Sequence, residues 1–264
     1  MERTAITSTR NSRIGDLLEL KEKSRARRAQ GLFVVEGLRE ITLALSSGHT
    51  IDTLFVCENL GGFEQFKATY DLPKHLYTVT PNVFAKMAYR ENSDGLLAII
   101  PSRNLKLEDV RLSENPFVIV LESVEKPGNL GAILRTADAA KVDAVVICDP
   151  LTDLYNPNII RSSIGCVFSQ QVVVCSSQEV LQWLRSKGIK AFAAELQAAQ
   201  WYHETDFTQA SAIIMGTEAE GLTDFWLQAS DARIKIPMRG KIDSLNVSVS
   251  TAILTFEAMR QRRF

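Results

Sequence analysis

The sequence predicts an α/β protein in two parts, a smaller N-terminal α/β sandwich followed by a larger α/β domain with a mostly parallel sheet. Three observations predict it. Short apolar runs alternate with helical periodicity over residues 32–100. The alternation resumes over residues 117–236 with more continuous apolar runs, and a polar, proline-bracketed stretch separates the two at residues 101–116. A length of 264 residues also favours two domains at roughly 150 residues each, or one large α/β unit. The expected division is residues 1–106, with a basic arm at 1–30, then a linker at 107–116 and a second domain at 117–264.

The elements follow in order. Residues 1–30 are polar and locally basic: Lys21, Lys23, Arg25, Arg27 and Arg28 stand against one anion, Glu22, between positions 21 and 28. That run reads either as a solvated helix face or as a phosphate-contacting arm, since clustered cations displace condensed counterions from nucleic acid. Residues 32–35 form an apolar strand. Residues 38–47 carry helical spacing through Leu38, Ile41 and Leu45 and stop before Gly48. A strand at 51–57, a helix at 60–70 and an alternating strand at 75–80 come next. The helix at 81–89 opens with Pro81, which suits a first turn, and a strand at 96–100 closes the series. The second part has strands at 117–121, 144–148, 171–175, 189–194, 212–215 and 233–236. Helices at 130–140, 158–164, 178–187 and 224–229 lie between them, and a last helix covers 246–261. Near-continuous apolar strands indicate a parallel sheet covered on both faces. In the last helix Val249, Ile253 and Phe256 make an apolar stripe, read as core packing.

Composition narrows the function. Lys plus Arg number 30 against 31 Asp plus Glu, which excludes a uniformly basic nucleic-acid binder but not a local basic patch. An apolar content of 45% excludes a mainly disordered chain. No apolar run approaches the ~20 residues that span a bilayer, and residues 1–5 lack a signal-type apolar core. A cytoplasmic protein without membrane contact is expected. Cys57, Cys148, Cys166 and Cys175 form no CxxC pair, and His49, His75 and His203 are scattered, so no metal site is expected. Cys57, Cys148 and Cys175 lie in apolar runs and read as buried strand thiols.

Ligands of open parallel sheets bind beyond the carboxyl ends of strands. Three loops follow such ends, at 122–131, 216–221 and 237–246. GxGxxG and GxxxxGK[ST] are both absent, which argues against nicotinamide and nucleoside-triphosphate chemistry. Taken singly, the loops have ordinary readings. Asn129 and Ser244 could be helix caps, Glu218 a capping or solvated carboxylate, and Gly216 and Gly221 turn residues.

Taken together they say more. NLGAILRTA at 129–137, GTEAEGL at 216–222, and IPM leading to SLNVSVS at 236–250 closely resemble the three motifs of the SpoU (TrmH-type) RNA methyltransferases of the SPOUT superfamily. Order and spacing also match, over about residues 117–261. Phe33-Val34-Val35-Glu36-Gly37 and the helix after it resemble the opening of the RNA substrate-binding domain often fused to that family.

The resemblance implies S-adenosyl-L-methionine as cofactor and transfer of its methyl group to a ribose 2′-hydroxyl, in rRNA rather than tRNA. It also implies a C-terminal trefoil knot and a homodimer packed through the knotted domains. The cofactor-contacting positions would be Gly216, Ile236 and Leu245, with Met238 and Leu222 as pocket neighbours. The catalytic set would be Asn129, Arg135, Glu218, Ser244 and Asn246, with no metal. A guanidinium is a poor proton acceptor, so Arg135 is expected to fork onto an RNA phosphate and stabilise a developing alkoxide. A phosphate oxygen or water would then take the proton. Asn129, Ser244 and Asn246 would orient the ribose and the Arg135 side chain. Glu218 would hold that arginine or act as general base. Lys21, Arg25, Arg27, Arg28 and Arg39 are the expected RNA-capturing cations. Three rival readings remain: a tRNA 2′-O-methyltransferase, a base methyltransferase of a related knotted fold, and a catalytically silent RNA-binding or ribosome-assembly protein.

Overall fold

Apolar β-branched and aromatic runs become strands in both halves of the chain. The computed structural model describes residues 4–263, which divide into two units. The first holds the chain through Arg103 together with Asp153–Ser169; the second holds Asn104–Thr152 and the chain from Gln170 onward.

In the first unit β1 (Thr4–Ile6) precedes α1 (Ser12–Glu22) and α2 (Ser24–Gln30). Then come β2 (Leu32–Glu36), α3 (Leu38–Ser46), β3 (Thr53–Val56), α4 (Gly62–Thr69), β4 (His75–Val79), α5 (Pro81–Met87) and β5 (Leu96–Pro101). The sheet order is β1-β4-β3-β5-β2, and it is mixed: β5 runs antiparallel to β2 and β3, while β1 and β3 run parallel to β4. The basic arm expected at 1–30 is corrected from residue 4 onward, residues 1–3 lying outside the described residues. Ile14, Leu17 and Leu20, spaced for one helical face, are fully buried, and Asn11 caps α1 by accepting from the Arg13 amide at 3.0 Å. The segment is therefore a pair of packed helices with polar outer faces.

The second unit begins with β6 (Phe117–Glu122), α6 (Pro127–Ala139) and β7 (Ala144–Cys148). The chain then leaves it for α7 (Pro157–Ser162) and α8 (Cys166–Ser169), which belong to the first unit. There Phe33 of β2 stacks on Tyr155 at 4.1 Å and on Phe168 at 5.8 Å. This corrects the expected assignment of all of 117–264 to one domain. Periodicity says that 158–164 is a helix with an apolar face, but not which sheet the face covers.

The remaining elements are β8 (Val172–Cys175), α9 (Ser177–Ser186), β9 (Lys190–Ala194), β10 (Gln200–Trp201), β11 (Ser211–Met215), α10 (Asp224–Ala229), β12 (Ala232–Lys235) and α11 (Val247–Arg262). Seven strands pair in parallel in the order β10-β12-β9-β11-β6-β7-β8. Val118 and Val120 of β6 pack in one core with Val180 and Leu184 of α9, and the oppositely facing Ile119 and Leu121 are equally buried. Both faces are thus covered. From β6 the chain runs to β7 and β8 on one side, then returns to build β9, β11 and β12 on the other. This switch brings the carboxyl ends of β6 and β11 side by side.

The last helix differs from its reading. Val247, Thr251, Leu254, Thr255 and Ala258 are its buried residues. Val249 and Phe256 stay exposed and Ile253 is half-buried, so the stripe read as core lies on the outside. Cys57, Cys148 and Cys166 are buried and Cys175 is half-buried, all as free thiols. Among the described residues, no group of His, Cys, Asp or Glu is arranged to hold a metal ion, and no helix is long and apolar enough to cross a membrane.

Candidate active site

The site is built at the carboxyl ends of β6, β9, β11 and β12. The loop from Gly216 to Gly221 folds back on itself: the Thr217 amide donates to Gly221 O at 3.0 Å and the Gly221 amide to Thr217 O at 3.2 Å. Gly221 has φ +69°, and a Cβ on Gly216 would lie 2.2 Å from the Gly221 backbone. Only glycine fits at 216, because no ordinary Cβ contact is so short. The buried Glu122 carboxylate, at the end of β6, accepts from the Thr223 amide at 2.8 Å and the Thr223 hydroxyl at 2.7 Å. That pair fixes the far end of the loop to the neighbouring strand.

This loop and the segment after β12 enclose a cavity of about 520 Å³. Gly216, Leu222, Ile236, Met238 and Leu245, the five residues expected around a cofactor, all line it, and so does Ser244. The volume lies within the range for small-molecule sites. The wall also includes Glu195, Leu196 and Gln197, just beyond β9. Sequence reasoning missed these three, although the carboxyl end of a parallel strand beside β11 was the available signal.

Beside the cavity, Glu218 gathers three donors. Its Oε1 accepts from Asn129 Nδ2 at 2.7 Å and from Asn246 Nδ2 at 2.6 Å, while Lys126 Nζ donates to Oε2. Asn246 Nδ2 also lies 3.1 Å from Asn129 Oδ1. Residues from three separate motifs therefore meet in one hydrogen-bonded cluster. Donation from Lys126, then from Asn129, holds the Glu218 carboxyl below the usual carboxylate range, and Glu218 in turn raises Lys126. A second recess of about 110 Å³ is lined by Val124, Lys126, Asn129, Glu218 and Val247.

Local structure explains how the side chains are free to meet. Pro127 occupies the first turn of α6 and Lys126 is its N-cap, so Asn129 sits inside the helix. The alternative reading of Asn129 as a helix cap is thereby set aside, and its amide is left for Glu218. Asn246 caps α11 instead, its Oδ1 accepting from the Ser248 amide at 3.0 Å and hydroxyl at 2.6 Å. Ser244 caps no helix; its hydroxyl donates to Asp243 Oδ1 at 3.3 Å.

Arg135 stands apart. It is exposed on α6 and makes no hydrogen bond or ion pair with Asn129, Glu218 or Asn246. Six residues at 3.6 per turn place it about 240° around the helix from Asn129. The expected hold of Glu218 on Arg135 is corrected: the cation on Glu218 is Lys126, which sequence reasoning did not single out.

The five cations expected to capture RNA separate into two groups. Lys21 donates to Met87 O at 2.8 Å and Ala88 O at 3.0 Å, with its ammonium 4.3 Å from the Tyr89 ring centre. Burial lowers Lys21 and pushes the Tyr89 phenol up to about 12. Arg27 is 5% exposed and donates to Leu20 O, Lys21 O and Asp153. Both are internal to the first unit, which corrects their expected role. Arg25, Arg28 and Arg39 are exposed; Arg39 also pairs with Glu40 at 2.7 Å.

Comparison with known proteins addresses the whole chain. The profile of the SpoU rRNA Methylase family matches residues 116–256, and that of the MRM3-like substrate binding domain matches residues 11–98. The chain is 30% identical to an uncharacterized tRNA/rRNA methyltransferase of Synechocystis, covering 98% of this chain and 94% of that protein. It is 28% identical to the 23S rRNA (guanosine(2553)-2′-O)-methyltransferase RlmP of Bacillus subtilis, over 95% and 97%. Among solved structures, an RNA 2′-O ribose methyltransferase superposes with TM-score 0.86 at 40% identity, covering 99% of this chain and 100% of the other. The AdoMet-bound rRNA methyltransferase of Sinorhizobium meliloti gives 0.87 at 28% identity, with 97% of each covered. A profile match over more than half of the chain, relatives alike from end to end and a shared fold agree on one assignment: the chain belongs to the SpoU rRNA Methylase family.

Proposed function

We propose that the protein transfers the methyl group of S-adenosylmethionine to a ribose 2′-hydroxyl of ribosomal RNA. One observation carries this reading: the Asn129–Glu218–Asn246 cluster lies beside a cavity lined by Gly216, Leu222, Ile236, Met238 and Leu245. The cavity suits the cofactor on its own terms. It has room for a nucleoside, and the tight 216–221 turn that glycine permits sets backbone groups in its wall. Gly216, Ile236 and Leu245 would hold the cofactor, with Leu222 and Met238 beside them. S-adenosylmethionine supplies a sulfonium methyl open to in-line displacement by an oxygen nucleophile.

The chain's own residues then have to align that nucleophile and ease loss of its proton. Asn129 and Asn246 present neutral amides fixed by Glu218, suited to orienting a ribose. Glu218, with three donors and a lowered proton affinity, serves as an ionised anchor rather than as a base. Ser244, on the cavity wall, offers a further hydroxyl to the ribose. Arg135, unattached to the cluster, is left to fork onto an RNA phosphate and to meet the charge that develops on the attacking oxygen. The proton passes to a phosphate oxygen or to water as the O–CH₃ bond forms and the S–CH₃ bond breaks.

RNA capture falls to the first unit through Arg25, Arg28 and Arg39, a role supported by its match to a substrate-binding domain. The preference for rRNA is supported by the name of the Bacillus subtilis relative. The exposed Val249 and Phe256 on α11 support a homodimer formed through the second unit. Trefoil-knot threading is supported by the meeting of residues 216–222 and 236–245 in one cavity, with α11 returning over α6 and β11. A cytoplasmic location accords with an rRNA substrate.

The test is methyl transfer from labelled S-adenosylmethionine to purified rRNA and tRNA, followed by nuclease digestion and nucleoside mass spectrometry. A 2′-O-methylated nucleoside from rRNA is expected. A methylated base, labelling of tRNA alone, or cofactor binding without turnover would each overturn the corresponding part.

A further inference from the structure

We propose that Lys126 is a positioning residue for methyl transfer, clamping the Glu218 carboxylate so that the Asn129 and Asn246 amides stay fixed beside the cavity. The inference rests on the function proposed above and concerns a residue outside the expected catalytic set. Lys126 lies on the short connection between β6 and α6. Ser123, the residue immediately after β6, has φ +52° and donates its amide to Cys148 O, while Pro127 starts α6 on the other side. The Lys126 side chain itself is free to solvent over 69% of its surface, so its ammonium contributes little to the stability of the fold.

The division of the carboxylate is the central geometric fact. Both amides use Oε1, and Lys126 uses Oε2. With Oε2 occupied, the carboxylate cannot rotate without breaking an ion pair, and Oε1 stays aimed between the two asparagines. Charge gives the second reason. Among the described residues, the other acidic groups lining the two recesses are Glu125 on the Lys126 loop, Glu220 on the Glu218 loop, Asp243 in the segment before α11 and Glu195 beyond β9. Lys235, on the cavity wall, lies 4.7 Å from the Trp201 ring centre. Among the described residues Lys126 is thus the cation in ion-pair contact with Glu218. Without it, an uncompensated carboxylate would stand beside an oxygen gaining negative charge, and like charges at that separation repel.

The experiment compares wild type, Lys126→Met and Lys126→Arg in the full chain. Removing the ammonium takes away the first cause of the lowered Glu218 proton affinity, so the acid limb of the kcat–pH profile should move to higher pH in Lys126→Met. Its kcat should fall on the order of tenfold, with cofactor Kd within about twofold of wild type. Lys126→Arg should restore most of the loss. A carbon-13 titration of the Glu218 carboxyl, which needs no turnover, should show the same upward shift. An unmoved titration and an unchanged kcat would overturn the proposal. So would a raised KM for RNA at constant kcat, which would make Lys126 a phosphate contact. A wild type that titrates as described but transfers no methyl would sink the function and leave the clamp standing.

Discussion

Asn246 does two jobs with one amide: its oxygen caps α11 and its nitrogen ties Glu218 to Asn129. The two can be separated. Asn246→Asp keeps the capping oxygen, which Asp supplies about as well as Asn, but removes both donors and sets a second negative charge against Glu218. Thermal stability should stay close to wild type while turnover falls by about 10² or more, the scale of losing one preorganised donor. A melting scan beside a methyl-transfer assay checks this, and a parallel loss of both would mean that the cap dominates. For Asn129→Ala the expectation is a loss of kcat with cofactor affinity retained, because Asn129 borders the recess rather than the large cavity; calorimetric titration decides it. Glu218 sets the pH dependence. Its folded proton affinity is lowered, so the cluster is fully formed above the ordinary carboxylate value of about 4.3 and is lost only as pH falls through the lower folded value. Turnover should therefore show no Glu218 limb between about pH 5 and 8 in wild type. These residues were legible in sequence as a set, from three motifs. Their wiring was not, because Asn129 reads equally well as a cap until Pro127 is seen to start the helix two residues earlier.

At the level of elements, the strands were the most legible part. Their apolar runs are local, and most observed bounds lie within a residue or two of the expected ones. What escaped has physical reasons. β1 and β10 have three and two residues, too few for a period to register. The apolar face of α1 is diluted by surrounding charge. The expected burial of Val249, Ile253 and Phe256 failed because a 3.6-residue period identifies a stripe without saying what covers it. The inner side of α11 is taken by Val247 and Leu254 together with the small Thr251, Thr255 and Ala258. The small residues let the helix approach α6 and β11 closely. The outward stripe should then mark the contact between two copies. Val249→Glu is expected to convert a dimer to a monomer by light scattering while the monomer stays folded, and a monomeric wild type would dispose of the idea. Gly216→Ala tests the loop itself. A Cβ there meets backbone at 2.2 Å, so the turn must open. Cofactor affinity should drop at least tenfold, with little change in RNA affinity.

Over the whole molecule the charge is −1, so attraction to RNA has to come from segregation rather than excess. The first unit spends much of its positive charge internally. Lys21 and Arg27 satisfy backbone carbonyls, and Arg90 pairs with the fully buried Glu40. The outward cations on α2 are Arg25 and Arg28, three residues apart and so neighbours on one helix face. Deleting residues 1–30 would be a poor test of RNA capture, since it removes β1 and the buried Ile14, Leu17 and Leu20 along with the charge. The double substitution Arg25→Gln, Arg28→Gln leaves that core alone. If both side chains meet phosphates, the slope of log affinity against log salt should flatten by about 1.4–1.8, the counterion release for two contacts. Affinity for RNA should fall at low salt and converge with wild type at high salt. The large cavity is lined by residues beyond position 193, so cofactor binding there should not move. An unchanged salt slope would return α2 to the reading of a solvated helix face and shift RNA capture to other surfaces of the chain.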